Sequence, residues 1–509
     1  MSFQTLCFSA VRFLWLILIS LIVIAGCRTN RSFDPQRKFS ASALKQDFHQ
    51  LRNVLKKNHP SLYWYTNKDS MDMAAEIALA SITDSMTETT FRWKVVAPYL
   101  HFVRCGHTSV SYSKQYEKWS KSIRFNSFPL YVRAWKDTLM AVGTQNKNDS
   151  SFKPGYFIQS INGVSSDIII TTIMRHLSQD GYETNVHYAR IGSQFPLLHR
   201  HVFGLSRNYT VVFSDSAGQS FTQQIPLFEY KKDTAKKSIK PSSTTKKISR
   251  KERLLAKRSM YIDSSNTYAV MELKTFSSAA LRRFFRQSFR KLKNNQIPNL
   301  IIDLRLNGGG KVNNYLLLTK YLRKTPFRVS DSCYATVNTL RPYTSLYESG
   351  FFTNLALRSM GRRKKDGKFH LTRYERHWYS PKKNKTYTGN VYLLINGPSF
   401  SATTLLVHAL KGQDNVTIVG EQTGGGWYGN SGILIPTFTL PNTRLQIRMP
   451  LFRLVQSHHQ TIPVKGAGIP PDIRIETDYH YLLQGRDKKM EETIQMILHK
   501  TAGISPEKQ

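Results

Sequence analysis

The sequence predicts an α/β core at the C-terminal end of the chain, preceded by a helical segment and a β-rich segment. Three observations carry this. After residue 259, strand-like runs (TYAVMEL, NLIIDLRL, VYLLING, VTIVGEQ) alternate with amphipathic patterns near 278–294, 312–323 and 401–411, the rhythm of helices packed on an internal sheet. Between 42 and 104 the apolar residues fall at helical spacing. Between 127 and 215 they fall in short alternating runs.

Length and composition agree. At 509 residues the chain is long for one core, and 40% hydrophobic with 12% aromatic residues is enough apolar matter for several packed units. Lys plus Arg number 73 against 33 Asp plus Glu, a formal charge of +40, so anionic partners have to be weighed. The charge is spread out, however, and no helix-turn-helix, zinc finger or aromatic-basic RNA motif organises it, which argues against a nucleic-acid partner. Four cysteines without a C-x-x-C pair exclude a disulfide scaffold and a thiolate zinc site.

In chain order, residues 1–27 read as a secretory signal. FLWLILISLIVIAG is shorter than a membrane-spanning helix needs and ends in two small residues before Cys27. Ile24-Ala25-Gly26-Cys27 resembles a bacterial lipobox, which implies a diacylated Cys27 and a membrane-anchored chain. By the same resemblance Arg28, in place of Asp, favours the outer membrane, and the lack of an acidic run after Cys27 favours a periplasm-facing site over surface display. Residues 28–41 form a linker. From 42 to 125 a helical domain is expected: Leu44, Phe48, Leu51 and Leu55 line one helix, and His59-Pro60 ends it because the residue before proline avoids helical dihedrals. Further helices are expected near 69–82 and 88–103. Residues 126–230 form a β-rich domain. Within it, Pro154 to Val164 (PGYFIQSINGV) is a strand closed by an Asn-Gly turn and resembles a PDZ strand and turn, with Tyr156 in place of the usual Asp. Residues 231–258, with twelve Lys and Arg against two acids, read as a solvated insert or linker. The core spans 259–485, interrupted by a basic, aromatic segment at 340–388 that could act as a lid. Residues 486–509 are a tail.

Three core segments run a strand into glycines or a helix start. They are Asn299 to Gly310 (NLIIDLRLNGGG), Asn396 to Thr404 (NGPSFSATT) and Gly420 to Gly426 (GEQTGGG). Glycines let backbone N–H groups face a ligand unobstructed, so three such turns suggest donors gathered around one pocket. A nucleotide loop is excluded, since Val312 follows Lys311 and the glycine spacing fails. Taken alone, Ser401 reads as a helix N-cap.

Together these segments resemble the C-terminal-processing and tricorn-core family of serine peptidases. The similarity rests on LIIDLRLNGGG, SFSATT, VGEQTGGG and the closing Gly468-Ile469-Pro470-Pro471-Asp472-Ile473, and extends to HPSLYWY and RCGHTSV near the start. The resemblance implies a crotonase-like β/α spiral as the core and Ser401 as nucleophile. The lysine base of one branch aligns with Gly426, so the resemblance implies the histidine base of the tricorn-like branch, His107. Cys105 stands where that branch has Asp, and Lys465 where it has Glu, so three alternatives stay open for His107: no orienting carboxylate, Glu421 in that role, or a backbone carbonyl. His408 lies two helical turns from Ser401, about 10 Å away, too far to serve as base. Ala402 and one of Gly308, Gly309 and Gly310 are the oxyanion candidates. No metal or organic cofactor is implied, and the expected partner is a peptide or protein substrate. The alternative is a catalytically silent relative that binds peptides or apolar ligands, and a third reading is an envelope scaffold working through the PDZ-like module. The sequence leaves the oligomeric state open.

If Cys27 is the anchor, Cys27→Ser leaves the chain uncleaved or soluble, and fractionation without detergent finds it outside the membrane pellet that holds the wild type.

Overall fold

The computed structural model describes residues 33–146, 152–230, 249–277, 279–458 and 463–502. The signal, Cys27 and most of the basic insert lie outside the described residues. Among the described residues no helix is long and apolar enough to cross a membrane.

The core is built on a six-stranded sheet in the order Arg258–Ile262, Tyr268–Leu273, Asn299–Asp303, Asn390–Ile395, Val416–Gly420, Ile473–Arg474. All neighbours are parallel except the first pair. Asn299–Asp303 is continuous Leu-Ile-Ile with no polar alternation, as a strand covered on both faces requires. Helices Leu281–Asn294, Val312–Leu322 and Ala402–Leu410 follow the strands, and Ile497 of helix Lys488–Thr501 packs with Val270, Ile301, Leu394 and Val419. The expected tail therefore contains a helix that covers part of the sheet. Beside it lies a five-stranded sheet containing Ser330–Ala335, Phe452–Gln456 and Gly429–Ile433.

Residues 340–388 are bound into this body. Leu340, Tyr347, Leu357, Leu371, Tyr379 and Tyr387 are buried in the main core, so the segment is a packed part of the core and not the loose lid expected from its charge.

The expected helices form at Ala41–Asn58, with His59 as C-cap, and at Lys68–Ala80. The third starts at the N-cap Thr87 and runs in three pieces from Glu88 to His101, with a π-helical turn at Arg92–Val96. Their apolar faces join the same continuous core as the central sheet: Leu44, Phe48 and Leu51 cluster with Leu300, Ile302 and Leu454. Two further devices lock this half to the core. Ser109–Ser111 pairs with Gln446–Arg448 in a three-stranded sheet. Asp47, with no exposed surface, accepts hydrogen bonds from Asn442 N (2.8 Å), Thr443 N (2.8 Å) and Thr443 Oγ1 (2.6 Å).

The β-rich segment has its own core. Strands Leu130–Trp135, Thr138–Thr144, Phe157–Ile161, Asn208–Ser214 and Ser220–Pro226 make an antiparallel sheet, with Val164–Ser165 at its side, packed on helices Ser166–Met174 and Asn185–Phe203. At its turn Asn162 holds a left-handed conformation and Gly163 follows it, as the Asn-Gly pair predicts. The end of the insert is folded: Ser249 and Glu252 form a capping box on helix Arg250–Leu255, and Arg258 opens the first sheet strand.

Asp47 gives the N-terminal helix a polar clamp that a shorter apolar side chain cannot replace. Asp47→Ala leaves buried donors unpaired and should cost about 3 kcal/mol, read as a lower urea midpoint at unchanged m-value.

Candidate functional site

Strands Asn299–Asp303, Asn390–Ile395 and Val416–Gly420 are adjacent, parallel and in register, so they end on the same edge of the sheet. The three glycine-bearing turns therefore meet, where open α/β sheets place ligands. The middle one is held on both sides. Ser399 Oγ donates to Leu304 O (3.0 Å), Phe400 N and Thr403 Oγ1 donate to Asn307 O (3.1 and 2.9 Å), and Gly424 N and Gly425 N donate to Gly397 O and Ser399 O (2.9 and 3.3 Å). At the centre Ser401 has φ 57° and ψ −120°, a conformation L-residues rarely hold, at the position preceding helix Ala402–Leu410. Its carbonyl accepts from Thr404 Oγ1 (2.6 Å) and Leu405 N (3.2 Å). The side chain makes no cap bond to its own helix, so its hydroxyl is left for another partner.

That partner is His107. Its Nε2 lies 3.0 Å from Ser401 Oγ, across 294 residues of sequence. The Gly-His-Thr turn is fixed by the HPSLYWY segment. His59 Nδ1 accepts from Ser61 N (3.1 Å), so Nε2 carries the hydrogen and donates to Thr108 Oγ1 (2.9 Å). Burial holds the His59 ring down to about 3, neutral at physiological pH. Gly106 is required by space, since a Cβ there would stand 2.4 Å from Phe400 Cζ. Burial, with the charges of Arg448 and Arg190 assisting, lowers His107 to about 4, so its ring is neutral near pH 7 and can accept a proton.

The other ring nitrogen, Nδ1, is buried without a hydrogen-bond partner. Cys105 Sγ, a ring nitrogen of His107 and a carboxylate oxygen of Asp180 lie within 4.8 Å of one another. Asp180 is buried and accepts from Gly106 N (2.7 Å) and Gly426 N (3.4 Å). Burial raises its carboxyl to about 6 against the opposing pull of those amides and of Arg190. Burial likewise pushes the Cys105 thiol up to about 12. A metal at these three groups would need that thiol ionised, and the Asp180 oxygens are already engaged by backbone amides. The set therefore reads as the surroundings of the histidine.

Asp180 carries no sequence signature, lying in an ordinary Gln-Asp-Gly turn remote from every motif. The structure does not bring Glu421, the sequence candidate for that carboxylate, to His107. Glu421 Oε1 accepts from Thr477 N (2.8 Å), Thr477 Oγ1 (2.8 Å) and Lys489 Nζ (2.9 Å), tied to the C-terminal helix. Lys465 is exposed, its ammonium 6.0 Å from the Tyr65 ring centre.

The oxyanion candidates separate. Gly309 N is taken by Asn307 Oδ1 (2.9 Å), and a Cβ at Gly309, whose φ is 96°, would fall 2.8 Å from Ser401 Cβ and from Phe400 O. Gly309 thus provides room, not a donor. Gly310 packs against the Phe276–Ser277 backbone on the far side. Among the described residues no acceptor occupies the amide of Ala402 or Gly308. Asn307, fully buried, ties two of the turns together and was not singled out by the sequence. His408 is structural: Nε2 donates to Ser457 O (2.7 Å), and Nδ1 accepts from Trp427 Nε1 (3.1 Å). Gly426 has no room for the lysine of the other branch, because a Cβ there would stand 2.6 Å from Gly429 O.

A half-buried serine–histidine pair on the C-terminal edge of a parallel sheet is the arrangement of a serine-type hydrolase. Residues 267–475 match the profile of Peptidase family S41; this part of the chain is an S41 domain, in line with the resemblance of its motifs, and the chain is a serine-type peptidase. Mature CPAF complexed with lactacystin is similar in fold, with a TM-score of 0.62 at 14% identity over 90% of this chain and 98% of that one. Mature CPAF gives 0.59 over the same shares at the same identity. No curated protein matches the chain in sequence.

Gly309→Ala should displace Ser401 while leaving the protein folded. Fluorophosphonate labelling of Ser401 falls by about a hundredfold or more, and the far-ultraviolet dichroism stays unchanged.

Proposed function

We propose that the chain hydrolyses peptide bonds by an acyl-enzyme mechanism, with the 3.0 Å contact between His107 Nε2 and Ser401 Oγ as the observation that carries the reading. Serine is a weak nucleophile until a base takes its proton. Neutral His107 is that base: it accepts the Oγ proton as Ser401 attacks the carbonyl carbon, then returns it to the leaving amine. Water repeats the sequence on the acyl-enzyme. The amides of Ala402 and Gly308 are the donors we assign to the oxyanion.

Asp180 is assigned as the group that steadies the imidazolium, by direct approach or through one water, because Nδ1 has no other partner and the carboxylate lies within reach of such a bridge. It takes the role expected of Glu421. The β-rich module with its Asn-Gly turn is read as PDZ-like, the core as a crotonase-like spiral, and Cys27 as a lipid anchor holding the enzyme to the outer membrane on its periplasmic side.

Ser401→Ala and His107→Ala should each lower kcat/KM by about four orders of magnitude, and the double variant should be little worse than either, because the two act as one unit. Independent, multiplying losses would refute the pair.

The pH profile tests Asp180. Its folded-state carboxyl sits at about 6, so activity that needs the carboxylate is full above pH 7 and declines as pH falls through about 6, where His107, lowered to about 4, is still neutral. Asp180→Asn should lower kcat/KM about thirtyfold at pH 7 and move the acid limb down toward that of His107. An unchanged limb would remove Asp180 from the mechanism.

A further inference from the structure

Helix Leu281–Asn294 buries Leu281, Phe284, Phe285, Phe289 and Leu292 and turns its basic residues outward. A charged helix face alone is ordinary. Here two other segments bring cations to the same place. A cleft of about 590 Å³ is lined by Arg282, Arg283 and Arg286 of the helix, Lys311 after the glycine turn, and Lys382 and Lys385 from the 340–388 segment. Among the described residues none of the six forms an ion pair, and no carboxylate lines the cleft. A second cleft of about 1100 Å³ shares Arg286, Tyr321 and Lys385 and adds Arg290 and Lys293 over a floor where the Phe289 and Tyr321 rings stack 4.3 Å apart. Like charges gathered from three segments repel one another unless an anion compensates them.

The near end of this groove adjoins the nucleophile's turn. Ser277 and Lys311 line it, Phe276 N donates to Gly309 O (2.9 Å), and Lys311 N donates to Phe276 O (3.1 Å). Gly309 in turn packs on Ser401. Gly308, Gly310 and Lys311 are exposed, so the groove begins on the same turn as the oxyanion candidate Gly308, on the side toward which a polypeptide held at Ser401 would extend.

We propose that this groove is an exosite for an acidic segment of the substrate, so that the peptidase prefers chains carrying clustered Asp and Glu beside the cleaved bond. The proposal rests on the peptidase reading and names its substrate class. The cations supply attraction, and the Phe289–Tyr321 floor accepts interspersed apolar side chains. An anionic membrane surface is the competing occupant, but the contiguity with Ser401 favours a polypeptide.

The test uses the full chain and two quenched fluorescent peptides, identical except for a four-Glu or a four-Gln block on one side of the cleavage site, made in both polarities. In one polarity the wild type should cleave the Glu peptide about tenfold more efficiently at about 50 mM salt, the ratio falling to about two at about 0.5 M. Arg286→Gln with Lys385→Gln should lower that ratio at least threefold, leaving fluorophosphonate labelling of Ser401 and cleavage of the Gln peptide unchanged. A wild-type ratio near one in both polarities overturns the proposal, as does an equal loss on both peptides. Weakened binding to phosphatidylglycerol vesicles with an unchanged peptide ratio also overturns it and assigns the groove to lipid. If Ser401 is unlabelled and neither peptide is cleaved, the peptidase reading has failed. Fluorescence anisotropy of the labelled peptides on Ser401→Ala protein then decides: Glu-selective binding lost in the double variant upholds the exosite, and equal binding of both peptides ends it.

Discussion

Ser401 stands at φ 57°, a conformation that costs free energy for a residue with a side chain, and much of the core is arranged to hold it there. Bonds from the turn to Leu304 and Asn307 fix it on one side, and those from Gly424 and Gly425 fix it on the other. The reward is geometric. A serine at an ordinary N-cap turns its hydroxyl back onto its own helix, whereas this one is denied that bond and presents its Oγ to a residue from a distant part of the chain. The parallel register of three strands is what allows the clamping turns to meet, so sheet order comes before chemistry.

The second constraint is delivery of the histidine. His107 lies 294 residues before Ser401, and a 3.0 Å contact over that span needs the two halves to behave as one body. They do so because the N-terminal helices share the main core, Asp47 clamps the Asn442–Thr443 turn, and Ser109–Ser111 joins a strand of the core almost directly after His107. The N-terminal region is thus structurally part of the site's support, and an isolated core would carry Ser401 without His107.

The sequence made the scaffold legible and the charges less so. Helices and strands were readable because periodicity reports burial: Leu44, Phe48, Leu51 and Leu55 are all buried, and the unbroken Leu300-Ile301-Ile302 run is an inner strand. Ser401 and His107 were readable because each sits in a motif whose backbone needs leave a trace, in small residues and glycines. Asp180 left none. A buried carboxylate needs only amide donors, which any sequence supplies, so nothing around it had to be special. Glu421 was misleading for the converse reason: it follows a motif strand, but side chains alternate across a sheet edge, and this one turns toward Thr477 and Lys489. Residues 340–388 looked loose because their charge is visible in sequence, while the buried contacts of Leu340, Tyr347 and Leu357 are spaced too irregularly to show.

Burial also sets the electrostatic character of the pair. Removing solvent lowers His107 and raises Asp180, so each group is pushed toward its neutral form. A neutral imidazole is the form that can take the serine proton. In the proposed mechanism the positive charge would arise where little water screens it, beside the Asp180 carboxylate, whose ionised state is supported by the amides of Gly106 and Gly426. Those two amides come from the turn beside the histidine and from the third glycine turn. The same backbone that leaves no room for a side chain at Gly426 therefore supports the carboxylate beside the histidine.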